Sequence, residues 1–191
     1  MARARPSAAL HAGHHAGHHA GHSRTAKQLP TATLGKRRAT PFTYAPKLLE
    51  AVPLSLAREF VSDRLWVSNN CLRFTSLCPV TGQPDWADIY LNYIPSALLV
   101  ESKSFKEYLG SFRMHGDFHE DVCRIICDDL VLLLAPRYLE VIGQFDSRGS
   151  IAIWPYVQYA APSDDAMEKL MLARMTNYAP GKYAPQYQRT V

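Results

Sequence analysis

LWVSNNCLRFTSL (residues 65–77), CPVTGQPD (residues 78–85) and WADIYLNYI (residues 86–94) follow one another without a break, and their order decides the fold. The first run contains strand-like stretches. In the third, Ala87, Ile89, Leu91 and Tyr93 alternate on one phase, the mark of a half-buried strand. Between them, the prolines and Gly82 make CPVTGQPD a turn.

Further along, Phe105, Tyr108, Leu109 and Phe112 recur at the spacing of one helix face. Lys103 and Lys106 fall together on another face of the same helix. A Gly/His loop, Met114 to Asp117, leads into a second helix over His119 to Leu134. Its apolar side is Val122, Ile125, Ile126, Leu130, Leu133 and Leu134, and Pro136 ends it. Residues 138–145 alternate again, Ser147 to Gly149 form a turn, and residues 150–154 read as another strand. An amphipathic stretch near residues 166–175 precedes a Pro/Tyr-rich end. Strands on either side of paired helices predict an α+β domain with an antiparallel sheet.

Residues 1–40 are of another kind. Six of the 8 histidines (His11, His14, His15, His18, His19 and His22) sit here in an Ala/Gly-rich repeat. The segment has little to bury, so it is expected to be a disordered, His-rich basic tail, with one domain over residues 41–191. It also distorts the charge. Of 21 basic residues, Arg3, Arg5, Arg24, Lys27, Lys36, Arg37 and Arg38 lie in the tail, with no acid. The remaining 14 basic residues face 17 acidic ones, so the rest of the chain is near −3. A mildly acidic domain is a poor platform for nucleic acid and points to a small-molecule partner. No apolar run approaches the roughly 18 residues of a membrane span, and no secretory h-region is present, so a cytoplasmic protein is expected.

Four groups of residues could carry chemistry. Cys78 opens the turn that closes on Asp85. A thiolate is a strong nucleophile when a neighbour lowers its pKa, and the turn can bring the carboxylate over the sulfur as proton donor and acceptor. The alternative is a buried thiol beside a turn-forming acid. His119 and Glu120 begin the second helix, where acids are favoured by the helix dipole in any case. Lys103, Lys106 and Arg148 are cations that could hold dinucleotide phosphates, or simply solvate a surface. No G-x-G-x-x-G follows a strand, so no Rossmann site is expected. Cys71, Cys123 and Cys127 lack zinc-finger spacing and are assigned to the core, with no metal.

FTSLCPVTGQPD (Phe74 to Asp85), ESKSFKEYL (Glu101 to Leu109), SFRMHGDFHED (Ser111 to Asp121), PRYLEV (Pro136 to Val141) and SRGSI (Ser147 to Ile151) together resemble the NADPH-dependent 7-cyano-7-deazaguanine reductases, the QueF nitrile reductases of queuosine biosynthesis, in their single-domain form. The resemblance covers roughly Thr40 to Asn177. It implies a tunnelling fold: a four-stranded antiparallel sheet with two helices on one face, assembling into homo-oligomeric rings with sites at subunit interfaces. It implies that Cys78 adds to the nitrile as a thioimide, that Asp85 moves protons and that His119 assists. Glu120 would read the pyrimidine edge of the base, with Glu101 and Ser102 in or near the substrate pocket. Lys103, Lys106 and Arg148 would bind NADPH.

Three positions depart from the family pattern. Glu107 stands where Leu or Tyr is usual, Ser150 replaces a second Gly after Arg148, and Val122 sits where some members carry a cysteine, so no protective disulfide is assumed. Two other readings compete. One is an amidinotransferase-like enzyme that modifies deazaguanine in transfer RNA with the same cysteine and no NADPH. The other is a non-enzymatic protein that binds metal or nucleic acid through the His-rich tail.

Overall fold

Two long strands flank the CPVTGQPD turn: β2 (Val67–Leu77) and β3 (Pro84–Ile94). The computed structural model describes residues 42–54 and 65–178, so the expected tail and the Pro/Tyr-rich end lie outside the described residues. Before the hairpin comes β1 (Ala51–Pro53). After it come β4 (Leu98–Val100), α1 (Ser102–Ser111), α2 (His119–Leu134), β5 (Tyr138–Phe145), β6 (Tyr156–Ala160) and α3 (Asp165–Asn177). Four strands form an antiparallel sheet in the order β2-β3-β5-β6, and β1 pairs with β4 in a separate two-stranded ribbon.

Alternation along the strands sorts the sheet into two faces. On one, Ala87, Ile89, Leu91 and Tyr93 of β3 meet Leu139, Val141 and Phe145 of β5 in one buried cluster. Phe105, Tyr108 and Leu109 of α1 and Val122, Ile126, Leu130 and Leu134 of α2 complete that cluster, so both helices cover the same face. Each fully buried aliphatic side chain there contributes about 1.5–3 kcal/mol. Cys123 and Cys127 project from α2 into this core. Helix α2 has the bounds its periodicity predicts. It stops at Ala135, which turns left-handed at φ 42 and donates its N–H to Val131 O, and Pro136 then bars continuation.

Three features differ from the sequence reading. Residues 150–154 are not a strand. Arg148 and Ile151 exchange backbone hydrogen bonds of 2.9 and 3.0 Å across a two-residue turn. Pro155 donates nothing to a ladder, and pairing resumes at Tyr156. Strand β2 carries an irregularity between Cys71 and Phe74, where Arg73 adopts φ 71 and its N–H meets Asp88 Oδ1. The third difference is in placement: α3, which covers the amphipathic stretch at residues 166–175, lies on the face opposite the other two helices, with Met167 packed against Ile94 and Tyr138.

That second face also buries a charge. Glu140 is 0% exposed. It accepts from Arg174 of α3, Tyr138 OH (2.7 Å), Tyr156 OH (2.6 Å) and Asn92 Nδ2 (2.9 Å). With this many donors a buried carboxylate is tolerated, and it ties α3 to the sheet.

Gly143 marks the closest approach of β5 to α2. A Cβ there would sit 2.6 Å from Cys123 Sγ and 2.9 Å from the Phe145 ring. Gly143→Ala is therefore expected to destabilise the domain by about 1–3 kcal/mol through overpacking. The urea unfolding midpoint measures it, and an unchanged midpoint would show that the interface yields.

Candidate active site

The β2–β3 pairing puts Ser76 opposite Asp85 and Leu77 opposite Pro84, so Cys78 and Asp85 emerge side by side at the end of the hairpin. The turn between them closes tightly. Cys78 N–H donates to Gln83 O at 2.8 Å, and Gly82 N–H donates to Cys78 O at 2.9 Å, with Gly82 at φ 65. Glycine meets that left-handed conformation without strain. One helical turn is thereby wound just after the cysteine. It aims the Val80 and Thr81 N–H groups and the Thr81 hydroxyl at the Cys78 sulfur.

A second segment straps the hairpin end. Leu77 N–H donates to His115 O (2.9 Å), and Asp117 N–H donates to Leu77 O (3.2 Å). This docks the start of α2 beside the turn. His119, its first residue, stacks flat on Phe145, with ring centroids 3.9 Å apart and an interplanar angle of 8°. The third contributor is the turn after β5, which carries Arg148. Gly149 (φ 56) and Ser150 (φ 70) are both left-handed there. The serine thus keeps a conformation that suits glycine, at a cost of about 1 kcal/mol.

These segments meet at Asp85, a carboxylate only 3% exposed. Its Oδ2 is 3.1 Å from His119 Nε2, and its Oδ1 is 3.1 Å from Arg148 Nε. Both are ion-pair distances, without the alignment of a hydrogen bond. Arg148 Nη2 also lies 3.1 Å from His119 Nε2, and the guanidinium hydrogen-bonds the Cys78 sulfur. His119 Nε2 thus stands between a donor and an acceptor. The ring nitrogen is equidistant from the two, so His119 links the guanidinium to the carboxylate.

All four cysteines are free thiols, but only one is set up to react. Burial pushes Cys123 and Cys127 up to about 12, and pushes Cys71 up to about 11 with help from Asp88. Cys78 moves the other way. The Thr81 hydroxyl foremost, then the Thr81 N–H, the Arg148 guanidinium and the Val80 N–H, hold it down to about 6. At pH 7 it is mostly thiolate.

The sequence-predicted residues divide into two groups. Cys78, Asp85, His119 and Arg148 come together. Glu120 is exposed on the first turn of α2, next to His119 in sequence. Glu101 caps α1, accepting from Lys103 N–H (2.9 Å) and Ser104 N–H (2.6 Å), and these bonds hold its carboxyl below the usual range. The Ser102 hydroxyl is 3.4 Å from Glu101 Oε1. Lys103, Lys106 and Glu107 are exposed on α1. Arg148 contacts the Cys78 sulfur, Asp85 and His119, while Lys103 and Lys106 lie on α1. Among the described residues, no cluster of three or more His, Cys, Asp or Glu could hold a metal ion. Sequence reasoning missed Thr81, although its place three residues after Cys78 in a turn was the signal for it.

Comparison with known proteins narrows the chemistry. The NADPH-dependent 7-cyano-7-deazaguanine reductase of Bdellovibrio bacteriovorus is 49% identical over 167 residues, covering 87% of this chain and 95% of that protein. The chain belongs to the 7-cyano-7-deazaguanine reductase family. A second reductase, from Bacillus subtilis, is 52% identical over 137 residues, 72% of this chain and 80% of its own. The family profile described as QueF-like protein matches residues 84–164, from Pro84 at the start of β3 to Asp164, the cap of α3. Among solved structures, the apo archaeosine synthase QueF-Like aligns with a TM-score of 0.46 at 19% identity, covering 49% of this chain and 91% of that one. Cys78, Asp85, His119 and Arg148 lie within reach of one another in this chain.

Alkylation by iodoacetamide should distinguish the cysteines. Cys78 is expected to label with a pH midpoint near 6, while Cys71, Cys123 and Cys127 stay unlabelled at pH 7 in the folded protein. Peptide mass spectrometry reads each site. A Cys78 midpoint near 9 would mean the donors do not hold the sulfur.

Proposed function

We propose that this chain reduces the nitrile of 7-cyano-7-deazaguanine to the aminomethyl group of 7-aminomethyl-7-deazaguanine, with NADPH as reductant, in queuosine biosynthesis. The observation that carries the reading is the single thiolate, Cys78, set beside a buried Asp85–His119–Arg148 cluster in a chain of the reductase family. A nitrile is a weak electrophile toward direct hydride attack. The Cys78 thiolate attacks the nitrile carbon, a C–S bond forms, and one C–N π pair moves onto nitrogen. That nitrogen takes up the proton that the Cys78 thiol gave up, passed through Asp85 and its neighbour His119, and later protons come from solvent through the same pair. The resulting thioimide carbon accepts hydride far more readily, so one hard step becomes two easier ones. Glu120, exposed beside His119, suits the N–H groups of the base's pyrimidine edge. Glu101 and Ser102 would border the base.

NADPH supplies two hydrides, one per reduction step. Lys103 and Lys106 fit its phosphates: both are exposed on one helix, and neither forms an ion pair among the described residues. Arg148 would join them when its contact with the sulfur is lost. The α1 lysines and the Cys78 cluster occupy different elements, which suits a homo-oligomeric ring whose sites form where subunits meet. No helix among the described residues is long and apolar enough to cross a membrane, and a reducing cytoplasm would keep the four thiols free. The mildly acidic domain favours the free base as substrate over transfer RNA.

Mixing the protein with 7-cyano-7-deazaguanine and NADPH should consume two NADPH per nitrile, followed by absorbance, with no consumption by Cys78→Ala. Lys103→Ala with Lys106→Ala should raise the KM for NADPH about tenfold, the loss of roughly 1.4 kcal/mol of phosphate binding. Turnover in Cys78→Ala would exclude the thioimide route. A covalent adduct without NADPH loss would favour the amidinotransferase-like reading.

A further inference from the structure

The turn that presents Cys78 contains one side chain that nothing above assigns to the reaction. Thr81 Oγ1 lies 3.4 Å from Gln83 N, which donates to it. An oxygen that accepts there keeps its own hydrogen free for another partner. The turn folds back over Cys78 through the Gly82 N–H to Cys78 O bond and the Cys78 N–H to Gln83 O bond, and the Thr81 side chain is the foremost donor to the sulfur. We propose that Thr81 is a positioning residue of the reductase reaction: its hydroxyl, oriented by the Gln83 N–H, donates to the Cys78 sulfur and holds it as thiolate both when it attacks and when it leaves.

The inference rests on the thioimide reading and deepens it. Two steps of that route pass through a free thiolate. In the first, the sulfur pair makes the C–S bond to the nitrile carbon. In the second, after one hydride addition, the sulfur sits on a tetrahedral carbon that also carries the amine. The nitrogen lone pair then forms C=N, the C–S bond breaks, and its electron pair returns to sulfur. The imine is left for the second hydride. A donor fixed on the sulfur makes the thiol ionise at neutral pH and makes the thiolate a better leaving group, at some cost in intrinsic nucleophilicity. Arg148 cannot fill this place alone, because it also faces Asp85 and His119.

The test is the pH profile of Cys78 alkylation in Thr81→Val and Thr81→Ser, read without substrate or NADPH. Valine keeps the branched shape and loses the hydroxyl; serine keeps the hydroxyl. The Thr81→Val midpoint should rise by about 1 pH unit, the scale of one hydrogen bond to a charged acceptor, and Thr81→Ser should stay near the parent. In single turnover with substrate and NADPH, Thr81→Val should retain the sulfur-bound adduct several-fold longer, even at a pH where its thiol is ionised. An unmoved midpoint in Thr81→Val overturns the proposal. So does an equal rise in both variants, which would assign the effect to turn packing. Because alkylation needs neither nitrile nor cofactor, a protein that fails to reduce the nitrile still returns a midpoint, and the two failures stay distinct.

Discussion

A buried carboxylate that must be paired is the constraint on which this molecule turns. Asp85 is almost fully removed from water, and an isolated charge there would cost several kcal/mol. Its two oxygens are met from two separate elements, His119 at the start of α2 and Arg148 in the turn after β5. Neither partner is near Asp85 in sequence. The hairpin, the strap of residues 115–117 and the stacking of His119 on Phe145 are what bring them there. The same arrangement leaves the Arg148 guanidinium over the Cys78 sulfur. Pairing the acid and ionising the thiol are therefore two consequences of one geometry.

That geometry also explains why one cysteine of four is reactive. Cys123 and Cys127 face the sheet from α2 and Cys71 lies against the same core, where burial favours the neutral thiol. Cys78 sits at the start of a single helical turn whose N–H groups and hydroxyl converge on it. The core supplies rigidity and the turn supplies donors. Gly143 and the Glu140 cluster hold the sheet between its helices on either face, so the donors keep their places.

Much of this was legible in the chain. The 3.6-residue periodicity and Pro136 bounded α2, and period-2 alternation located β3 and β5. Cys78, Asp85 and His119 were named from turn chemistry and resemblance, and they do come together. What was not legible depended on tertiary contact. Residues 150–154 alternate like a strand, but a left-handed Gly149–Ser150 turn and Pro155 delay pairing to Tyr156. Helix α3 buries only Met167, too little to announce which face it covers. The contact of Arg148 with Asp85 was not legible, because nothing local shows a buried acid waiting for it. Thr81 read as a turn residue because the sulfur it meets is named only by the closed turn.

The central claim is that Cys78 becomes covalently bonded to the nitrile carbon. Mass spectrometry of the protein incubated with 7-cyano-7-deazaguanine alone, without NADPH, tests it most directly. The expected result is a mass increase of one substrate molecule on the peptide carrying Cys78, lost when NADPH is added. NADPH consumption with no adduct, or an adduct on Cys71, Cys123 or Cys127 instead, would contradict it.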